Sequence, residues 1–271
     1  MRISVGLLLF GALLVNAQDL PVSRGVNFYS LEKEASLGAQ LAVDIQKTTT
    51  PLDSAAVRDY VDAIGARLTA QLPQQPAAKF TFTVIAAPAV TAPLEPLSLP
   101  GGYIFIPAGL ILTAQNEAEF AGTLAHAIAH VAARHATRTA SRAEIAQLAV
   151  TPLVSWGGWA GYAIRQASDT QVPIAFLQFQ RGFESEADLL AVNIAGRAGY
   201  DPQGLATYIQ RVQNDANPPA LLAVPNRDAR FQAIQAVIAG LPARTYTSSG
   251  DFARIQEEVR RLLPPVPAPA K

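Results

Sequence analysis

The sequence predicts an α+β fold, mostly helical, with a small sheet confined to its first half. Long stretches return apolar residues at helical spacing from residue 28 to residue 262. Two short segments, "KFTFTVIAA" and "YIFIP", are instead rich in β-branched and aromatic residues and read as strands. The chain has 271 residues, 50% of them hydrophobic, which is enough to bury one sizeable core. Runs of helix with a few early strands, and no repeat, give an α+β domain.

The elements follow in order. "NFYSLEKEASLGAQLAVDIQK" is a helix: Ser30 can cap it, Glu32 and Glu34 suit its positive end, and Leu31, Ala35, Leu41 and Ile45 share a face. "DSAAVRDYVDAIGARLTAQL" is a second, with Val57, Val61, Ile64 and Leu68 as its stripe and Pro73 and Pro76 beyond its end. After the strand "KFTFTVIAA", the prolines of "PAVTAPLEPLSLPGG" allow only a loop or an irregular edge. The strand "YIFIP" leaves Gly101 and Gly102. From Asn116, a capping residue, a long helix is expected through Arg134 and beyond. "FLQFQRGFESEADLLAVNIAGRAG" is a strong helix ending at Gly199, and Asp201 and Pro202 open another. "DARFQAIQAVIAGL" and "FARIQEEVRRLL" are two last amphipathic helices, and the proline-rich tail 264–271 is expected to be disordered.

Composition removes several functions. Lysine plus arginine and aspartate plus glutamate balance at 21 each, so there is no basic excess to track a phosphate backbone and nucleic acid is not an expected partner. Cysteine is absent, which removes disulfides, thiolate ligands and a cysteine nucleophile. Residues 1–17 read as an export signal: Arg2, the apolar run "ISVGLLLFGALLV", and small residues before Ala17. The expectation is an exported protein, periplasmic or secreted, with one domain over 18–263. "AQLAVTPLVSWGGWAGYAI" is uncharged but broken by Pro152, Gly157, Gly158 and Gly161. It is a poor spanning helix and is expected to be a buried hairpin or a lid, with peripheral membrane contact possible through 148–164.

All three histidines lie between positions 126 and 135. His126 and His130 are four apart on a helix, rotated by about 40° and separated by about 6 Å along the axis, so both can point at one metal ion. His135 is nine beyond His126, on the opposite face of a straight helix, where it is expected to make a polar contact on the far side. A catalytic zinc takes three protein ligands and keeps one position open. Without cysteine, the third ligand should be a carboxylate. "RGFESEADLL" offers Glu184 and Asp188 on one face, with Glu186 pointing away. Glu184 as ligand and Asp188 as acceptor for a histidine N–H is a sensible pairing. Arg181 is placed to pair with either carboxylate.

"SLPGGYIFIPAGLILTAQNEAEFAGTLAHAIAHVAARHATR" followed by "RGFESEADLLAVNIAGRAGYDP" resembles the HtpX-like and CAAX-prenyl-protease-like zinc metalloendopeptidases, metallopeptidase family 48. The resemblance runs from about residue 28 to 262 and implies a zincin-like fold. It implies zinc on His126, His130 and Glu184, with Asp188 in support. It also implies that Tyr103, Ile104 and Phe105 form an edge strand ahead of the zinc helix, on which an extended or unfolded polypeptide lies by strand addition.

The chain departs from the family motif H-E-x-x-H at Ala127. In such enzymes the glutamate takes a proton from water and passes it to the leaving amine, work worth roughly 10²–10⁴-fold. A methyl group cannot do it, so peptide hydrolysis is expected to be lost or strongly reduced, while alanine, the best helix former, leaves the helix intact. Glu119 lies two turns before His126, too far to substitute. Glu95 stands where many relatives have asparagine, close to the expected cleft. Many relatives also carry a histidine–proline pair before the late helix; here it is Val224–Pro225. The two departures suggest a natural drift away from proteolysis, towards a pseudoprotease that binds extended peptides; an engineered Ala127 is the alternative.

Overall fold

The computed structural model describes residues 25–72, 79–87, 95–147, 174–213, 225–246 and 248–263. The expected export signal, the 148–164 segment, Val224 and the proline-rich tail lie outside the described residues.

The first two helices form as their sequences dictate. In α1 (Leu31–Thr48) the Ser30 side chain accepts the Lys33 N–H, and in α2 (Ala55–Thr69) Ser54 does the same for Val57. The stripe Val57, Val61, Ile64 and Leu68 is buried in the main core. The sheet follows: β1 (Thr81–Ile85), β2 (Leu97–Ser98) and β3 (Tyr103–Pro107), in the order β1-β3-β2. β1 pairs with β3 in parallel from Thr81↔Tyr103 to Ile85↔Pro107, and β2 pairs with it antiparallel at Leu97↔Phe105 and Ser98↔Ile104.

This corrects the expected edge. Tyr103, Ile104 and Phe105 sit in the central strand, hydrogen-bonded on both sides. Ile104 and Ile106 face the main core while Phe105 packs against Ala42, Ile85, Leu97 and Leu99 on the other face. A continuous apolar run is the mark of a strand covered on both faces. The edges are β1 and β2, and Pro96 and Pro100 hold β2 to two residues. Between β2 and β3, Gly101 (φ 74°) turns the chain in a left-handed conformation that glycine adopts at little cost.

β3 runs into the short apolar helix α3 (Ala108–Thr113), and then into α4 (Glu117–Ala132), the centre of the fold. Asn116 caps α4 by accepting the Glu119 N–H at 2.9 Å. Its first-turn Glu117 accepts from Tyr60 Oη at 2.7 Å and from the Ser249 backbone at 3.1 Å, tying α2 and the last segment to the start of α4. Phe120, Leu124, Ala125 and Ile128 are fully buried. Each such large side chain contributes roughly 1.5–3 kcal/mol by leaving water.

α4 does not continue through Arg134 as one helix. It closes at Ala133, Arg134 takes a left-handed φ of 58°, and α5 (His135–Gln147) starts in a new direction. Arg134 is held there by Glu34 at 2.8 Å and by the Tyr29 carbonyl.

The remaining helices enclose α4. α6 (Ile174–Arg197) and α7 (Gln203–Val212) pack along it, α8 (Arg227–Ala239) packs on both, and α9 (Phe252–Leu262) packs across α2 and α3 through Phe252, Ile255 and Val259. α7 approaches the first turn of α4 so closely that a Cβ on Gly204 would lie 2.1 Å from the Ala118 carbonyl oxygen. No helix among the described residues is long and apolar enough to cross a membrane.

Candidate metal centre

Two adjacent turns of α4 bring His126 and His130 together, with their Nε2 atoms 3.0 Å apart. α6 lies alongside and supplies Glu184, whose Oε2 is 3.3 Å from His126 Nε2 and whose Oε1 is 3.6 Å from His130 Nε2. These donors test the fit of a metal. For ligands at about 2.05 Å in a tetrahedron, neighbouring donor atoms are about 3.3 Å apart. The two imidazole donors are 3.0 Å apart, the two Glu184 oxygens lie 3.3 and 3.6 Å from one imidazole each, and one donor atom from each of the three residues lies within 4.8 Å of the others, close enough to converge on one ion. Among the described residues these three side chains are the one cluster of histidines and carboxylates whose donor atoms converge in this way. The donor set, two imidazoles and a carboxylate, suits zinc. His126 and Glu184 are buried, whereas the His130 side chain keeps 18% of its surface exposed, so the site is reached from the His130 side.

The electrostatics favour a positive charge between these groups. Burial pulls the His126 imidazole down, but Asp188 and Glu184 more than offset this and lift it to about 10. Burial would raise the Glu184 carboxyl; the charges and hydrogen bonds of His130 and His126 hold it well below the usual carboxylate range. A proton and a metal ion compete for this well, since imidazole must be unprotonated at the donor nitrogen to bind metal.

Asp188, one turn after Glu184, reaches the other face of His126, with Oδ1 3.0 Å from Nδ1. Arg230 of α8 grips Asp188 through two parallel contacts, Nε to Oδ2 at 2.8 Å and Nη2 to Oδ1 at 2.7 Å. Both side chains are almost wholly buried. The guanidinium counters the burial of Asp188 and lowers its carboxyl. Arg230 also donates to Gln213 Oε1 at 3.0 Å and has Glu95 Oε1 at 3.9 Å.

Arg230 therefore takes the place expected for Arg181. Arg181 is exposed. Side chains on a helix lean towards its N-terminus, and Arg181 precedes both carboxylates, so it leans away from them. Arg230 left one trace in the sequence, its position a turn before buried Ile234 on α8.

The break at Arg134 also changes His135. A straight helix would carry it to the far side; the kink returns it to His130, Nδ1 to Nδ1 at 3.0 Å. Its ring stacks on Phe183 with centroids 4.5 Å apart, and its Nε2 is 3.3 Å from Glu186 Oε2. Burial lowers the His135 imidazole to about 4, with His130 and Arg138 adding to this and Glu186 opposing it. Glu186 turns from the His126 side, as expected, and towards His135 and Arg138.

Ala127 is buried in the main core and presents only a methyl group. Of the two carboxylates weighed as substitutes, Glu119 pairs with Arg211 and accepts the Gln115 N–H at 2.8 Å, and Glu95, partly exposed, lies 3.9 Å from Arg230. The Tyr103–Phe105 segment lies inside the sheet, and the strand packed nearest α4 at the sheet margin is β2.

Comparison with known proteins agrees with this geometry. The model of peptidase family M48 matches residues 55–238. The beta-barrel assembly-enhancing protease of Yersinia pestis is 25% identical over 238 residues, covering 80% of this chain and 47% of that protein. A putative beta-barrel assembly-enhancing protease of Vibrio cholerae is 28% identical over 214 residues, 74% of this chain and 43% of the relative. The mitochondrial metalloendopeptidase OMA1 of Saccharomyces cerevisiae is 31% identical over 126 residues, covering 46% of this chain and 35% of its own. The chain thus spans about half the length or less of the curated relatives it matches. With two thirds of its residues matched by one family model and a histidine, histidine and glutamate converging within that stretch, the chain belongs to peptidase family M48.

Proposed function

We propose that this chain holds one zinc ion on His126, His130 and Glu184, and that its peptide hydrolysis is lost or nearly lost because Ala127 stands in place of the general base. The observation that carries this reading is the pairing of a convergent donor set with a methyl group beside it. Zinc, when bound, supplies Lewis-acid activation of water and of a scissile carbonyl. The chain supplies the rest. Asp188, gripped by Arg230, keeps His126 turned towards the ion, and Glu184 completes the donor set from the neighbouring helix. The step left without a residue is proton transfer to the leaving amine, because position 127 carries a methyl group and Asp188, Glu186 and Glu119 are paired with cations or imidazoles.

Paired measurements of metal content and casein cleavage test this, with and without Ala127→Glu. The expected result is about one zinc per chain in both proteins and zinc-dependent cleavage only in the glutamate variant. Equal cleavage by the parent, or a zinc content near zero, overturns it.

A second reading of the same cleft is a pseudoprotease that binds extended or unfolded polypeptide in the bacterial envelope. It is favoured by β2, a two-residue edge strand whose outer side has no partner strand among the described residues. The apolar N-terminal run and the names of the two bacterial relatives support an exported protein that acts on unfolded or misassembled envelope proteins. Fluorescence anisotropy with a labelled, reduced and unfolded polypeptide should report binding to the parent protein; no binding by any such client would sink this reading.

A further inference from the structure

We infer that His135 and Glu186 are a positioning pair for His130, fixing it as the tautomer with its proton on Nδ1 and its lone pair on Nε2. The inference rests on the proposal that the site holds zinc, and adds residues the family donor set does not include.

Proton bookkeeping carries it. Two imidazole nitrogens that face each other at 3.0 Å, His130 Nδ1 and His135 Nδ1, need one proton between them. Which ring owns it is decided at the other end of His135. There Nε2 is buried, makes no other hydrogen bond among the described residues, and lies at ion-pair distance, 3.3 Å, from a Glu186 carboxylate oxygen. A carboxylate is acceptor only, so the His135 proton belongs on Nε2. His135 Nδ1 then carries the lone pair and accepts the N–H of His130 Nδ1. His130 Nε2 is left as a bare donor, and it is this atom that lies 3.0 Å from His126 Nε2 and 3.6 Å from Glu184. A neutral acceptor on the outer nitrogen both orients a ligating histidine and raises its basicity.

A second observation is independent of the protons. His135 reaches this place only because Arg134 adopts φ 58° between α4 and α5. A non-glycine residue in that left-handed conformation is strained. Two contacts from the N-terminal segment, Glu34 and the Tyr29 carbonyl, hold Arg134 in that conformation. What the turn delivers is His135 against His130, clamped by the Phe183 ring. The strained residue and the precise pairing are two ends of one arrangement.

Two readouts test the pair. In the metal-free parent, ¹⁵N NMR of the histidine rings should show His130 protonated at Nδ1 and His135 at Nε2. In His135→Phe, which keeps a flat ring against Phe183 but has no acceptor, zinc affinity measured against a competing chelator should fall by roughly 10–100-fold. Glu186→Leu, which removes the acceptor beside His135 Nε2, should fall in the same direction, which keeps the test sharp if His135→Phe does not fold, and His135→Gln, which restores an acceptor, should regain part of the loss. Unchanged affinity in a folded His135→Phe or in Glu186→Leu, or a His130 proton on Nε2, overturns the inference. A parent protein that binds no zinc would instead refute the proposed metal centre, while the NMR arm still decides the tautomer.

Discussion

Replacing Arg230 with methionine removes the cation from a buried ion pair and leaves Asp188 behind. The structure gives the size of the effect. Asp188 and Arg230 are each about 2% exposed in their side chains, and two contacts of 2.7 and 2.8 Å join them. A carboxylate so enclosed has no water to fall back on; its remaining partner is His126 at 3.0 Å. Breaking one side of such a pair costs about 3–5 kcal/mol. For a domain of this size a loss of 1 kcal/mol lowers the melting temperature by about 2–4 °C, so Arg230→Met should melt roughly 6–20 °C below the parent. Thermal unfolding followed by circular dichroism, with chelator present in every sample, measures it. The paired variant Arg230→Met with Asp188→Leu should recover most of the loss, because replacing both charges with apolar groups removes the stranded ion as well. If the single variant melts with the parent, or the double falls by the sum of the two singles, Arg230 is not the counter-charge that the geometry makes it.

Two further outcomes concern the charge on His126 and the packing of α7 on α4. In metal-free protein the His126 imidazole is raised from 6.5 to about 10, so the stability it contributes is complete below about pH 6.5 and is lost as pH rises through about 10. Chelated protein should therefore melt at progressively lower temperature from pH 6.5 to 10, and a His126→Gln variant that keeps the same slope would refute the assignment. Gly204→Ala places a Cβ 2.1 Å from the Ala118 carbonyl oxygen, a backbone atom that cannot swing away. It should cost roughly 1–3 kcal/mol, and an unchanged urea midpoint would show that α7 does not press on α4 as described.

Much of the fold was legible because it is encoded locally. Ser30 and Asn116 cap the helices they were expected to cap, and the Val57–Leu68 stripe is the buried face of α2. The spacing of His126 and His130, and of Glu184 and Asp188, fixed the faces that meet. The features that escaped are set by contacts between distant segments. "VAARHATR" holds no glycine or proline, so nothing local marks a helix break; Glu34 and Tyr29, about a hundred residues earlier, impose it by holding Arg134. Arg230 reads as one more charge on an amphipathic helix until α8 is seen against α6. The central place of β3 was present in the sequence, since "YIFIP" has no polar alternation, and it was the family resemblance that pointed to an edge.

The electrostatic cost of the centre bears on its purpose. Glu184, Asp188, Glu186, His126, His135 and Arg230 are packed between apolar helices with little or no access to water. Such a cluster adds little net stability, because the cost of stripping water from the charges offsets their attraction, and a leucine core of equal volume would serve the fold as well or better. A divalent cation among the donors, in place of a proton on His126, would make the arrangement favourable. None of the contacts that organise it passes through residue 127. Asp188 is fixed from α8 and His130 is backed from α5, while the Ala127 methyl lies in the core between them. Alanine where the family motif has glutamate therefore leaves the three donor side chains held as they are. A chain selected only for its fold has no use for the buried charges that remain, which is the physical reason to look for zinc and for a bound polypeptide before concluding that the site is idle.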